Sequence, residues 1–192
     1  ARAFNDSSWA VGTGPVGVEG ASPPDYILGT NLHAQTYNQT PSIYQRNVFT
    51  ASTQDVDSDL PLGITIDYDD GIIIYLNGRE IVRRNLGTAG VPTPHDTLAN
   101  ANHDATGDSG TTQDASEFIN LDSARSLLVA GDNVLAVQLH RASLTSEDSI
   151  ARVTLQTSGP NARVLTQPSD PVRYFIGTGE PVVMGQEQED TG

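Results

Sequence analysis

Apolar residues along this chain recur at every second position in short runs, and each run ends in a turn. In "LPLGITIDY" (60–68), Leu62, Ile64, Ile66 and Tyr68 fall on one face once Pro61 is passed. Asp69-Asp70-Gly71 then leads into "IIIYL" (72–76), and Asn77-Gly78 separates that run from "REIVRR" (79–84). Asn-Gly between two such runs is a strong hairpin signal, because a type I′ turn needs φ > 0 at both central positions. The spacing predicts three consecutive strands of one antiparallel meander across 60–84. "SIYQRNVF" (42–49), "NVLAVQLH" (133–140) and "SIARVTLQT" (149–157) read as further strands. "LDSARSLLVAGDN" (121–133) reads as a helical turn, capped by Asp122 or Ser123 and stopped at Gly131. No stretch sustains an apolar stripe of helical period for more than a couple of turns. Short, evenly spaced strands without alternating helices predict an all-β fold, an antiparallel β-sandwich.

Composition sharpens this picture. The 192 residues suffice for one domain with a real core, and 18 glycines with 11 prolines favour many turns. Two polar stretches, 87–116 and 158–192, interrupt the strands. The expected organisation is a sandwich over 1–157, with "VRYFIG" (172–177) in 158–180 as a terminal strand or the start of a next module. An acidic flexible tail is expected over 181–192.

Charge and missing residue types exclude several functions. Twenty-four acidic residues face ten basic ones, all arginine, for a net charge of −14. Such a surface repels phosphate backbones, so nucleic acid is not an expected partner. No apolar run is long enough for a spanning helix, so membrane insertion is not expected either. Without cysteine there is no disulfide framework and no thiolate zinc site. His33, His95, His103 and His140 show no HxH or HExxH spacing, and no GxSxG elbow or Walker loop occurs. No catalytic constellation emerges.

Three kinds of candidate residue remain. Asp67, Asp69 and Asp70 sit where a strand turns, and turn formation accounts for them without a ligand. An acid–base pair would need carboxylates opposed across a substrate, which neighbours on one turn rarely provide. In "NANHDATGDSGTTQDASE" (100–117), Asp104, Asp108, Asp114 and Glu117 offer hard oxygens for Ca2+, against a plain reading as a solvated acidic loop. The spacing is not that of an EF-hand, since loop position twelve is Ala115. For sugar recognition, Trp9, Tyr26 and Tyr37 are the candidate aromatic faces, and Arg46, His140 and Arg141 the candidate polar contacts. Core packing for the aromatics and ion pairing for the arginines are the competing accounts.

"FNDSSW" (4–9), "GPVG" (14–17), "IYQRNVF" (43–49), "DYDDGIIIYLNGREIVRRNL" (67–86), "GDNVLAVQLH" (131–140) and "SEDSIARVTL" (146–155) occur in that order. As a set they resemble the galactose-binding-like β-sandwich modules appended to secreted bacterial enzymes and surface proteins. The resemblance covers residues 1–157 and implies a jelly-roll, non-catalytic, often calcium-stabilised and frequently carbohydrate-binding. It adds Asp6 and Asp148 as a metal pair tying the sandwich ends, with a capping role for Asp6 as the alternative. The "SED" at 146–148 departs from the more usual Ser-Ser-Asp, so only Asp148 carries over. The expected function is a non-catalytic polysaccharide-binding module of a secreted or cell-surface bacterial multidomain protein, with structural calcium and other modules of the same polypeptide as partners. The alternative is a structural or protein-interaction spacer that binds no sugar.

Overall fold

The structure is a computed structural model that describes residues 3–22, 24–57, 61–107, 114–159 and 162–181. Its strands are β1 (Ala10–Thr13), β2 (Val16–Glu19), β3 (Thr30–Asn31), β4 (Ser42–Ala51), β5 (Leu62–Asp69), β6 (Gly71–Leu76), β7 (Arg79–Arg84), β8 (Glu117–Asn120), β9 (Gly131–His140), β10 (Asp148–Thr157), β11 (Val164–Thr166) and β12 (Pro171–Ile176). Two short α-helices, His33–Thr36 and Thr53–Asp57, and a 3₁₀ helix, Asp122–Leu127, lie between them. The first sheet has the order β1-β12-β4-β9-β6-β7, and the second β3-β2-β10-β5-β8, with β11 on the edge of β10. All pairings are antiparallel except β2–β3. The fold is an all-β sandwich.

Alternation in the long strands builds the core. Leu62, Ile64, Ile66 and Tyr68 of β5 face Leu135, Val137 and Leu139 of β9 and Ile72, Ile74 and Leu76 of β6 between the sheets. A smaller cluster of Val16, Val18, Leu32 and Ile43 extends it towards β12. Ile72, Ile73 and Ile74 are all fully buried, because β6 is covered on its outer face as well. Residues 93–97 supply that cover: the Thr93 carbonyl accepts Gln138 Nε2, and the Thr97 carbonyl meets His140 Nδ1.

Two sequence expectations change. The meander over 60–84 is not one sheet: β6 and β7 form the Asn77-Gly78 hairpin, but β5 belongs to the opposite sheet. Asn77 and Gly78 have φ of 51° and 89°, as a type I′ turn requires. Asp69-Asp70 is therefore the corner where the chain crosses between layers. The expected helical turn is a 3₁₀ helix that ends at Leu127, and Asp122 does not cap it. Its carboxylate instead accepts the Leu62 amide at 2.9 Å, tying the helix to β5. β12, in the stretch left open by the sequence, lies between β1 and β4. Among the described residues, no helix is long and apolar enough to cross a membrane.

Candidate functional site

The aspartate corner is built by loops distant in sequence rather than by its own turn. Asp67 accepts the Thr106 amide at 2.9 Å and the Thr106 hydroxyl at 2.5 Å, and pairs with Arg152 at 2.5 Å. Asp69 Oδ2 accepts the Tyr26 hydroxyl at 3.0 Å. Asp70 accepts the backbone amides of His103 at 2.9 Å and Ala142 at 2.7 Å. All three aspartates are buried. They anchor the loops that carry Tyr26, residues 103–106 and residue 142 onto the crossing between sheets, which is a structural role.

Electrostatics mark this corner out. Burial, then repulsion from Asp70, Asp148 and Asp104, pushes the Asp69 carboxyl up to about 9. Burial also raises Asp70 against the lowering effect of its two amide donors. Buried Arg141 interacts favourably with Asp70, Asp148 and Asp69, while its guanidinium donates to the carbonyls of Ser146, Thr36 and Thr40.

The sequence-derived metal residues do not come together as one set. Asp104 stands near Asp69, Asp114 lies 3.6 Å from His103, and Glu117 pairs with Arg84 at 2.5 Å. Asp108 lies outside the described residues. Asp6 pairs with Arg46 at 2.8 Å and Arg173 at 3.6 Å on the first sheet, whereas Asp148 opens β10 in the second. Among the described residues, no three His, Asp or Glu side chains form a group that could hold a metal ion.

The sugar-contact residues need correction too. Trp9, Tyr26, Arg46, His140 and Arg141 are all buried, so their faces are turned inward. Trp9 stacks on Phe175 at 5.6 Å, and Arg46 lies over Phe4 at 5.0 Å. His140, fully buried, is held neutral, its pKa lowered to about 4 chiefly by desolvation. Only Tyr37 keeps partial exposure, with its ring 4.9 Å from that of His33.

An aromatic face does exist elsewhere. Phe118 of β8 is 55% exposed on the outward side of the second sheet. A β-carbon built at Gly63 of β5 would run into its ring, so the ring lies over the glycine. Register places Phe118, Thr65 and Thr154 in one row across β8, β5 and β10. Asn120, Gly63, Gln156 and Val164 form the next row, reaching β11. Thr65, Thr154 and Gln156 are partly exposed, and Asn120 and Val164 openly so. A shallow depression of about 300 Å³, lined by Gln156, Ser158, Gly159, Ala162, Arg163 and Val164, adjoins the far end. The result is one aromatic ring with hydroxyl and amide groups beside it on a rigid, flat surface. Sequence reading missed it because β8 is four residues long and follows an acidic loop. The usable signal was glycine in a strand, which marks a close approach by a neighbour.

No family model matches the chain, and no curated protein matches it. Among solved structures, it is similar to part of the Streptomyces avermitilis α-L-rhamnosidase complexed with L-rhamnose, at a TM-score of 0.51 and 12% identity. That match covers 96% of this chain and 16% of the rhamnosidase, and it shows the sandwich fold. The native α-L-rhamnosidase from Aspergillus terreus matches at 0.40 and 12%, over 86% of this chain and 16% of that one. The apo lectin from Pleurotus ostreatus matches at 0.33 and 16%, over 65% and 27%. The chain thus spans a small part of each of these proteins.

Proposed function

We propose that this protein is a non-catalytic carbohydrate-binding module, galactose-binding-like in type, of a secreted multidomain protein. The observation that carries the proposal is Phe118, an exposed ring seated on Gly63 and bordered by Thr65, Thr154, Asn120 and Gln156. A sugar presents one apolar C–H face, which an aromatic ring covers, and hydroxyls that neighbouring polar groups bond. Because the ring and its neighbours ride on paired strands, little ordering entropy is lost on binding. The occurrence of a similar sandwich within a rhamnosidase agrees with such a context.

Phe118→Ala is expected to reduce binding to a retained polysaccharide by about tenfold or more, the worth of one stacked ring with its polar neighbours. Affinity gel electrophoresis over a polysaccharide panel, followed by calorimetry, measures this. The melting temperature should change little, since the side chain is half in solvent. Silence across the panel, or equal retardation of wild type and Phe118→Ala, overturns the proposal.

A spacer role is the second reading, and the burial of Trp9 and Tyr26 favours it, since it removes two of the three expected sugar platforms. It requires the Phe118 face to be covered by a neighbouring domain of the same polypeptide, with no polysaccharide retained.

A further inference from the structure

We infer that the Phe118 face takes the interior of an uncharged glycan chain, lying across β8, β5, β10 and β11, and that it discriminates against uronate- or sulfate-bearing glycans. This rests on the glycan-binding reading above and adds its specificity. The first ground is shape. The rows Phe118–Thr65–Thr154 and Asn120–Gly63–Gln156–Val164 cross four strands, which at ~4.8 Å per strand spacing is about 14 Å. The second row continues at Val164 into the neighbouring depression. A flat track of this length suits several linked rings, whereas a chain end is recognised by a walled pocket.

The second ground is charge. The guanidinium groups nearest this face are already held by carboxylates: Arg152 by Asp67 and Arg163 by Asp55. The groups that project between them are Thr65, Thr154, Gln156 and Asn120, all neutral hydroxyls and amides. Among the described residues, an acidic glycan would meet Arg152 and Arg163 already paired and would approach a protein of net charge −14. Neutral hydroxyls meet donors and acceptors of matching kind.

Calorimetry with a linkage-matched pair of oligosaccharides, one neutral and one uronate-containing, tests the charge selectivity, and a length series from the disaccharide upward tests the track. The neutral oligomer is expected to bind about tenfold more tightly, with an affinity that salt leaves unchanged. Affinity should climb with length until the chain spans the face, then level off. Gly63→Ala, which lifts the Phe118 ring while leaving the backbone undisturbed, should weaken every member of the series several-fold. Equal or tighter binding of the uronate oligomer, or a disaccharide as tight as the longest chain, overturns this inference while leaving glycan binding itself intact. A complete absence of glycan binding overturns both.

Discussion

Asp69→Asn is expected to reduce the loss of stability that the wild-type protein shows as pH rises from about 6.5 to 9. The Asp69 carboxyl is raised to about 9 by burial and by Asp70, Asp148 and Asp104, so the native state keeps a proton that the unfolded chain releases near 3.8. Across that interval the folded protein binds one more proton than the unfolded one, and stability falls with rising pH by roughly 1.4 kcal/mol per unit. His140 acts in the opposite sense over part of the range. Its pKa is lowered from 6.5 to about 4, so the unfolded state is the one that gains a proton there, and stability rises with pH between those values. The two contributions offset each other between pH ~4 and ~6.5; above that Asp69 carries the fall, and Asp70, whose carboxyl burial also raises, acts in the same sense. A plateau followed by a decline of about 3 kcal/mol by pH ~8.5 is the expected wild-type profile. The asparagine keeps an acceptor for the Tyr26 hydroxyl, so the variant should fall less steeply than wild type above pH ~6.5 and be more stable at pH ~8.5. Denaturant midpoints at several pH values measure this in EDTA, with a parallel series in calcium. An unchanged slope in the variant refutes the assignment to Asp69. A calcium-dependent rise in wild type that vanishes in Asp69→Asn would show a cation, rather than a proton, relieving the corner.

That corner also shows how far the sequence can be read. Alternation in β5, the β-rich runs of β9 and β10 and the Asn77-Gly78 turn were legible because each depends on residues close together in the chain. Sheet membership was not. A period of two states which side chains share a face, yet β5 and β6 look like adjacent strands of one sheet or successive strands of two. Asp69 and Asp70 looked like turn formers, and the groups that bury them come from Tyr26, His103 and Ala142, far away in the chain. For the same reason Trp9 and Tyr26 read as platforms: nothing local reveals that Phe175 lies on one and Asp69 bonds the other. Phe118 carried the converse problem. Its ring lies over Gly63 of the paired strand, distant in sequence, so neither residue alone announces the site.

Arg141→Met should be the most damaging single change outside the apolar core, costing about 3–5 kcal/mol. The side chain is 1% exposed, and its guanidinium ties the 36–40 stretch to the 141–146 loop through carbonyls of Thr36 at 2.7 Å, Thr40 at 2.6 Å and Ser146 at 2.9 Å. Methionine fills much of the same volume but donates nothing, so the buried Thr40 carbonyl and the half-buried Ser146 carbonyl lose this donor, while the Thr36 carbonyl keeps the amides of Gln39 and Thr40. The carboxylates of Asp69, Asp70 and Asp148 lose their buried cation as well. Arg141→Lys keeps the charge, but a single ammonium on a flexible stem cannot match a planar fork of donors, so an intermediate cost follows. For a chain of this size the methionine variant should melt on the order of 10 °C lower. Because Asp69 keeps its proton at pH ~8, it adds no charge to the corner there, and Asp69→Asn should be close to additive with Arg141→Met in a double-mutant cycle at that pH. Stability within about 1 kcal/mol of wild type would mean the carbonyls find other donors, and marked non-additivity at pH ~8 would mean that Asp69 is already ionised there.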